Sequence, residues 1–557
     1  MKKHHLLMLG AGFMQKPAIE SAKKLGWKVT VVDGNPKAVC VSLADAFEHI
    51  DLKDTEALIE FAKKLKATEN LDCVFTAGTD FSASVAKIAE SCNFHSHSVE
   101  AALNATDKSR MRSCFASYGA PSPNFIEVDF DTSKRISEYV LKDDSWPFDS
   151  KKLKKKFPLV VKPVDNMGSR GCITVFSLRE LVDAVKTAVS LSKTGRAIIE
   201  EYMDGPEFSI DSLVFEDKLI ITGFADRHIY YPPYFIEMGH TMPTAFSEEQ
   251  RNIIIEAFAK GVKALGLSCG AAKGDMKLTS KGAMIGEIAA RLSGGYMSGW
   301  TFPYASGLNL TEQALFLASG EKSPIFNDGN LQKLPKIAKG VWYIPPKEWS
   351  AERAWISIPG KVASVFGLEN AGKLQFVKDV FPRSLKGENV VFPENNVEKC
   401  GNCISKAATR QDAVNAAESA VALIELRLEP DDEKTLQFLE CRKSFPPSAF
   451  RVSADVAADI DNVDDGLFFD SSIGWECQIP HSLREYLEIK DWNHKSMRDV
   501  LNRFIEIEPK AMIHMRTFWR YLIRGSLQGV LFAADSCKKN KLKYKKEGID
   551  EKIKSSI

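Results

Sequence analysis

The stretch GLSCGAAKGDMKLTSKGAMIGEIAARLSGGYMSG, Gly266–Gly299, decides the fold, and its middle predicts a β-hairpin. One arm covers roughly residues 271–278 and the other roughly residues 283–291. The polar segment Thr279–Gly282 between them contains a glycine, which is a usual signal for a hairpin turn. We therefore expect two antiparallel strands joined by a tight turn.

This hairpin is expected to place two carboxylates opposite each other. If the turn is centred on Lys281, Asp275 lies opposite Glu287, and side chains directly across an antiparallel pair have Cβ atoms about 4.5–5.5 Å apart. Carboxylates that close repel each other unless a cation lies between them, and Mg²⁺ takes one or two protein carboxylates together with phosphate and water oxygens. Arg291 shares a face with Glu287, which suits phosphoryl chemistry. The alternative is a solvated hairpin with two surface acids.

Composition limits the function classes. The chain has 557 residues with a formal net charge of +1, which indicates three or four domains and gives no support to a nucleic-acid partner. No apolar run is long enough for a transmembrane helix, and the amino-terminal residues do not form a signal peptide. The 11 cysteines are scattered, as expected for reduced thiols. We expect a cytoplasmic protein without a membrane segment.

Residues 1–105 alternate short apolar runs with helical patterns, which predicts a parallel sheet covered by helices. The turn Gly10-Ala11-Gly12 closes the first strand, and Asp33 closes the second. This arrangement invites a dinucleotide-binding interpretation, but Gln15 stands where the third glycine of that motif belongs. The pattern favours a ligand-binding turn that does not serve NAD.

A second candidate site lies in the segment Phe157–Val175, FPLVVKPVDNMGSRGCITV. A strand carries Lys162, and the following loop contains Gly168, Ser169 and Gly171. Glycine-rich loops present backbone N–H groups to phosphate oxygens, and a lysine at the end of the preceding strand adds positive charge. Phosphate binding is favoured over the alternative, a plain hairpin loop.

The next strand ends in an acidic pair. Glu200 and Glu201 precede Tyr202, and Glu207 opens the following strand. Such an arrangement can hold an adenine and a ribose through backbone and carboxylate hydrogen bonds.

The segment Phe224–Pro243 concentrates polar residues among aromatic ones. Arg227, His228, Glu237 and His240 are candidates for binding a small substrate, because aromatic side chains interleaved with polar groups are typical of a pocket wall. An irregular loop packed on the core is the alternative.

The remaining segments carry no chemical constellation. The polar stretch Asp129–Lys156, which closes on the basic run Lys151–Lys156, is expected to be an insertion. Asp431–Lys434 is expected to be a linker, and the basic tail from Lys538 to be frayed. Residues 435–557 are expected to be mainly helical.

The order of these features resembles the ATP-grasp superfamily of ligases over roughly residues 5–428. The motifs TDKSRMR, PLVVKPVDNMGSRG, IIEEYMDGPEFSID, GAAKGDMKLT and IGEIAARLSGG follow one another at plausible spacing. The segment that contains GNCISKAATRQDAVNAA is similar to the branch with biotin carboxylase and the purine-synthesis grasp enzymes. The resemblance implies an ATP-grasp fold of α/β and α+β class with these segments: a pre-grasp domain at 1–105, a nucleotide-binding domain at 106–335, a small lobe at 336–430 and a helical extension at 435–557.

The resemblance also implies roles for individual residues. Arg291 and Lys162 would act on the transferred phosphoryl group, and Asp275 and Glu287 would hold Mg²⁺, for which Mn²⁺ can substitute. Nucleotide contacts are implied for Lys108, Lys162, Gly168, Ser169, Gly171, Glu200, Glu201, Tyr202 and Glu207. A second substrate is expected between the first sheet, at Gly12 and Asp80, and the segment that contains Arg227, His228, Glu237 and His240.

One position departs from the family pattern. Ala289 stands where an amide often completes a second metal site, and a methyl group cannot bind Mg²⁺.

The expected activity is ATP-dependent coupling of a small-molecule carboxylate to an amine through an acyl phosphate. A bicarbonate-activating, carboxylase-like enzyme and an ATP-binding regulatory or scaffold protein with reduced turnover are the alternatives. A homodimer is the expected assembly.

Overall fold

The computed structural model describes residues 3–143, 148–149, 156–441, 445–464 and 466–546. These residues form two compact units. The first contains the described residues up to Glu352 together with Lys406–Ala413, and the second contains Arg353–Ser405 and the described residues from Val414 onward. Lys151 and the next four residues of the basic run lie outside the described residues.

The amino-terminal part of the first unit is a parallel sheet with the strand order β3-β2-β1-β4. All five residues of its central strand β1 are buried, as expected for a parallel sheet covered by helices on both faces. The predicted βα alternation is confirmed; the short strand β3 and the helix α4 were not predicted. The elements are β1 (His5–Leu9), α1 (Lys16–Lys24), β2 (Lys28–Val32), β3 (Ala46–Glu48), α2 (Thr55–Glu69), β4 (Cys73–Phe75), α3 (Ser82–Cys92) and α4 (Val99–Thr106).

A smaller antiparallel sheet follows, with the order β5-β8-β6-β7. Its helix α7 buries Leu181, Val185 and Ala188 against it, at the spacing of one helical face. Part of the expected polar insertion is a helix, α6. The elements are α5 (Lys108–Tyr118), β5 (Phe125–Asp129), α6 (Phe130–Asp143), β6 (Leu159–Pro163), β7 (Ile173–Val175), α7 (Leu178–Leu191) and β8 (Arg196–Glu201).

The third part is an antiparallel sheet in which β13, β12, β9, β10 and β11 are neighbours in that order. Helix α8 buries Ile254, Phe258 and Val262 in the core on one face of this sheet. The elements are β9 (Glu207–Phe215), β10 (Lys218–Tyr230), β11 (Ile236–Met242), α8 (Glu248–Leu265), β12 (Cys269–Thr279) and β13 (Gly282–Ala289).

Short elements complete the first unit. Strand β15 extends the sheet by pairing parallel to β10, and β14 pairs antiparallel to β15. The elements are α9 (Phe302–Ser306), α10 (Leu310–Ala318), α11 (Asp328–Leu331), β14 (Lys336–Ala338), β15 (Val341–Tyr343) and β16 (Trp349–Trp355).

The second unit combines short antiparallel strands with helices. Strand β17 pairs with β19 and β21, β18 pairs with β20, and β22 pairs with β23. The elements are β17 (Gly360–Phe366), α12 (Leu368–Gly372), β18 (Val377–Pro382), β19 (Asn389–Val390), β20 (Gly401–Ala407), α13 (Arg410–Leu423), β21 (Glu425–Leu428), α14 (Glu433–Glu440), α15 (Ala454–Asp461), β22 (Phe468–Asp470), α16 (Met497–Ile507), β23 (Met512–His514) and α17 (Met515–Lys546).

The carboxyl-terminal segment packs on the small strands through buried polar contacts. The Asn493 side chain bonds both the N–H and the carbonyl of Ile356, and Arg427 pairs with Asp535 and Glu508. The expected linker at Asp431–Lys434 is wrong: Asp432 caps α14, which begins at Glu433. Aspartate is a strong helix cap, and the acidic run marks a helix start rather than a flexible connection.

The end of the chain also differs from expectation. The basic tail is not frayed from Lys538, because α17 continues to Lys546; residues 547–557 lie outside the described residues. Helix α17 is interrupted at Ser526, whose hydroxyl donates to Asp491 Oδ2 at 2.6 Å. In the described part of the chain, no helix is long and apolar enough to span a membrane.

Candidate active site

Three adjacent strands carry a polar face. On the central strand β12, Lys273, Asp275 and Lys277 are two residues apart, so their side chains lie on the same face of the sheet. Each is paired with a residue of β9 and with a residue of β13. The three rows are Asp211–Lys273–Ala289, Ser209–Asp275–Glu287 and Glu207–Lys277–Met284.

The expected pairing of Asp275 with Glu287 is present, and a β-bulge produces it. The hairpin closes with Thr279 opposite Gly282, and this register continues to Met276 opposite Ile285. The pairing then shifts by one residue, which leaves Gly286 unpaired and places Glu287 opposite Asp275. Bulges re-aim side chains and are frequent beside active sites.

Both carboxylates of this row are surrounded by cations. Asp275 Oδ1 lies 2.5 Å from Lys273 Nζ and 3.4 Å from Arg227 Nη1. Burial alone would raise the pKa of Asp275, but Arg227 and Lys273 hold it below its ordinary value. Burial likewise opposes ionisation of Glu287, and Lys108, at 3.6 Å, is the main group that keeps its pKa low. The row therefore presents two ionised carboxylates.

Two lysines face these carboxylates from neighbouring elements. Lys108 is the first residue of α5, and its ammonium donates to the carbonyl of Asn166 at 2.8 Å. Lys162 on β6 lies 2.6 Å from Glu200 Oε2. Between β6 and β7 the chain takes positive φ values of 66°, 61° and 72° at Gly168, Ser169 and Gly171, respectively. These values turn the loop back on itself, which suits a phosphate-binding loop.

The strand end at Glu200 is held by a residue that sequence reasoning missed. Arg112 Nε lies 2.6 Å from Glu200 Oε1, and both side chains are almost completely buried. Burial would raise the pKa of Glu200, but Arg112 and Lys162 keep it low. A usable signal exists in the sequence, because Lys108 and Arg112 are four residues apart and share one face of α5.

These groups line one open cleft. The residues that follow β8, among them Tyr202 and Met203, form a hinge at one end of the cleft. The Lys277 ammonium donates to the carbonyl of Met203 there. The predicted residues that line the cleft are Lys108, Lys162, Gly168, Ser169, Glu200, Glu201, Tyr202, Glu207, Arg227, Asp275 and Glu287.

The donor set fits a Mg²⁺ ion that is shared with a ligand. Among the described residues, no three His, Cys, Asp or Glu side chains converge on one point. Asp275 and Glu287 would thus supply two oxygens and leave the other positions to phosphate and water, as Mg²⁺ prefers.

The segment around Arg227 forms a charged network beside this cleft. Arg227 lies 2.7 Å from Glu237 and 3.2 Å from Glu207. His240 is opposite Arg227 in the β10–β11 pair, and its Nδ1 is 2.7 Å from Glu352 Oε2. His228 follows Arg227 directly and therefore points to the other face, where it bonds the Thr241 hydroxyl.

Arg291 connects the hairpin to the first sheet. Its Nε is 3.9 Å from Asp80 Oδ1, and Ala77 forms a bridge with Leu292. A buried pair that was not predicted fixes the following loop, because Asp211 accepts from the N–H and the hydroxyl of Ser293 at 3.1 and 2.6 Å. Burial raises the pKa of Asp211.

The turn at Gly12 does not have the features of a dinucleotide site. Gly12 accepts from the Gln15 N–H, and the Asp33 carboxylate accepts from the N–H groups of Ala11 and Asn35. Both Asp33 oxygens therefore already accept a backbone hydrogen bond, one from the turn after β1 and one from the turn after β2, whereas a dinucleotide site needs this carboxylate for a ribose.

Three family models match: an ATP-grasp N-terminal domain at residues 19–94, an ATP-grasp domain at 155–299 and an L-amino acid ligase C-terminal domain at 354–429. Residues beyond 429 lie outside these matches.

Individual relatives are distant. An uncharacterized protein, y4rH, of Sinorhizobium fredii is 22% identical over 436 residues, which are 77% of this chain and 84% of that protein. Carnosine synthase 1 of Mus musculus is 24% identical over 328 residues, which cover 54% of this chain but only 38% of the synthase. The crystal structure of an L-amino acid ligase from Bacillus licheniformis superposes with a TM-score of 0.64 at 20% identity, covering 77% of this chain and all (100%) of the ligase, and shows that the fold is shared.

Proposed function

Because this chain belongs to the ATP-grasp superfamily of ATP-dependent ligases, we propose that it couples a carboxylic acid to an amine and releases ADP and phosphate. The observation that carries the proposal is the pairing of Asp275 with Glu287 in a cleft that also holds Lys108, Lys162 and the glycine loop.

ATP would lie along the cleft with its base at the hinge and its phosphates at the Asp275 row. Tyr202 and Met203 line the hinge end, and Glu207 is near enough to bond a ribose. Lys108 and Lys162 would bind the phosphates, because a lysine acts as a mobile point charge for phosphate oxygens. A Mg²⁺ ion on Asp275 and Glu287 would neutralise phosphate charge and fix the phosphate orientation.

The chemistry then needs positioning more than covalent assistance. The substrate carboxylate attacks the γ-phosphorus, the bond to the β-phosphate oxygen breaks, and an acyl phosphate and ADP result. The amine attacks the acyl carbon, and phosphate leaves with the bonding electrons of the C–O bond. Arg291 is the cation of the hairpin on the side of the first sheet, where it would stabilise charge on the transferred group.

The glycine loop would protect the acyl phosphate from water. Its three residues with positive φ, Gly168, Ser169 and Gly171, lie between β6 and β7, and the first two line the same cleft as the two lysines. Closure of such a loop excludes the water that would hydrolyse the intermediate.

Amino acids are the substrate class that relatives favour. The names alanine–anticapsin ligase, D-alanine–D-alanine ligase and L-amino acid ligase each contain an amino acid or amino acids as a class. We infer that the acid and the amine of this chain are both of that class. A cytoplasmic location and a homodimer stay predictions, which cell fractionation and light scattering will check.

The test is ADP release from ATP in the presence of amino acids, singly and in pairs, with hydroxylamine present to trap an acyl phosphate. We expect ADP and a hydroxamate with one acid, and a ligated product when the amine is added. Glu287→Gln should lower turnover by about 100-fold or more, since it removes one metal carboxylate. Glu369→Gln on the exposed face of α12 is the matched control and should match the wild type.

Two outcomes would overturn the proposal. ADP release that requires bicarbonate and no amine would identify a carboxylase. ATP binding without turnover for any acid and amine would identify a regulatory or scaffold protein.

A further inference from the structure

The position that departs from the family pattern has a charged neighbour. Ala289 is paired across the hairpin with Lys273, and both side chains lie in the row next to Asp275 and Glu287. Lys273 is 84% buried, and its ammonium lies 2.5 Å from Asp275 Oδ1. The side chain that lacks a metal-binding atom thus stands beside a fixed cation.

The other neighbours of Lys273 do not neutralise it fully. Its partner on β9 is Asp211, but both oxygens of that carboxylate accept hydrogen bonds from Ser293. Burial raises the pKa of Asp211. The contact of Lys273 is therefore the same carboxylate that we assign to Mg²⁺.

We propose that Lys273 supplies the second positive charge beside the phosphoryl-transfer centre, so that the site takes one divalent ion instead of two. Phosphoryl transfer needs cations on both sides of the transferred group, and two-metal sites provide them with two ions about 3.5–4 Å apart. Here Asp275 and Glu287 would hold the single ion. The Lys273 ammonium already lies 2.5 Å from Asp275 Oδ1, across the hairpin from Ala289, and the Ala289 side chain offers a second ion no ligand.

This inference rests on the proposed function, but its first test does not require turnover. Mn²⁺ bound per chain is counted by electron paramagnetic resonance with saturating, non-hydrolysable ATP analogue. The variants are Lys273→Met, Ala289→Asn and the double variant. We expect one Mn²⁺ in the wild type and in both single variants. In each single variant either the Lys273 ammonium or the missing ligand at Ala289 still excludes a second ion. The double variant should bind two.

Turnover gives the second readout. Lys273→Met should lower kcat by about 100-fold, which is the usual effect of removing one group that stabilises a transition state. The double variant should regain part of this loss and require a higher Mg²⁺ concentration. Lys277→Met is the matched control one row away: it removes a cation at the hinge and should raise KM for ATP without changing the number of bound Mn²⁺. Thermal unfolding verifies that each variant is folded.

Two Mn²⁺ in the wild type, or a folded Lys273→Met variant with kcat within about threefold of the wild type, would overturn the assignment. If the wild type binds one Mn²⁺ with nucleotide but releases no ADP with any acid, the proposed ligase activity fails and the assignment of the second charge stays supported.

Discussion

The Arg112 guanidinium donates to the Glu200 carboxylate, with Nε 2.6 Å from Oε1. The second oxygen of Glu200 binds the Lys162 ammonium, also at 2.6 Å. Arg112 further donates to the carbonyl of Gly286 at 2.6 Å, next to Glu287. One buried arginine therefore positions a phosphate lysine through Glu200 and steadies the strand that carries a metal carboxylate.

We predict that Arg112→Met destabilises the protein and raises KM for ATP. Truncation would leave the buried Glu200 with Lys162 as its one remaining cation, and breaking a buried ion pair costs about 3–5 kcal/mol. Urea unfolding and ATP-dependent kinetics measure the two effects. Arg110→Met is the control on the same helix, because Arg110 pairs with the exposed Glu100 and its loss should cost under about 1 kcal/mol. Equal effects of the two substitutions would contradict the role of Arg112.

The hinge depends on Gly205. Its φ is +80°, and a Cβ at this position would lie 2.1 Å from the carbonyl oxygen of Leu278. We predict that Gly205→Ala displaces the hinge and weakens binding of an ATP analogue about tenfold or more, which calorimetry measures. The positive φ alone would cost an alanine about 1–2 kcal/mol of backbone strain, and the clash with Leu278 adds to that cost.

Gly282 is the matched control for that experiment. Its φ is +105°, but a Cβ there meets nothing within 4 Å. Gly282→Ala should therefore lower stability by backbone strain and leave nucleotide affinity unchanged. Equal losses of affinity in the two variants would show that the clash at Leu278 is not the cause.

Because of the buried His97, we predict that the folded protein is less stable in mild acid than at neutral pH. Burial lowers its pKa from 6.5 to about 4, and its Nε2 bonds the carbonyl of Ala271 at 2.9 Å. Between these two pKa values the unfolded chain binds a proton that the folded chain does not, so stability falls as the pH falls through this window. The full loss is about 3 kcal/mol.

Urea unfolding at pH 7 and pH 4.5 measures this effect. His97→Gln should lose less stability between the two pH values than the wild type. The exposed His481→Gln is the control and should behave as the wild type does. An unchanged pH dependence in His97→Gln would disprove the assignment.

A substitution at Asn493 tests how the carboxyl-terminal segment packs. Its side chain accepts from the Ile356 N–H and donates to the Ile356 carbonyl, both at 2.9 Å. Asn493→Ala leaves two backbone groups without these partners, and each such loss costs about 1–3 kcal/mol. We predict a lower midpoint of thermal unfolding, measured by calorimetry. Asn462→Ala, at an exposed helix end, should cause a much smaller shift.

Local patterns predicted much of this molecule because they follow from short-range chemistry. The strand His5–Leu9 and the hairpin are recognisable from apolar runs and turn residues. The positive φ values at Gly168 and Gly171 agree with the glycines that indicated a phosphate loop.

Other features depend on contacts between distant segments and could not be read from a local pattern. Arg112 meets Glu200 across 88 residues, and Asp211 meets Ser293 across 82. The acidic run before α14 has the composition of a linker, but its role as a helix cap depends on the packing of that helix, where Thr435 bonds the carbonyl of Pro359.

The unpaired Gly286 changes which residues of β13 face the core, because the alternation of side chains shifts by one residue there. Between the turn and the bulge, the odd-numbered Ala283 and Ile285 are in the core, whereas beyond it the even-numbered Ile288 and Ala290 are. The residues opposite Lys277 and Asp275 change parity in the same way, from Met284 to Glu287. A substitution scan or an alignment that assumes uniform alternation along this strand would assign half of its residues to the wrong side of the sheet.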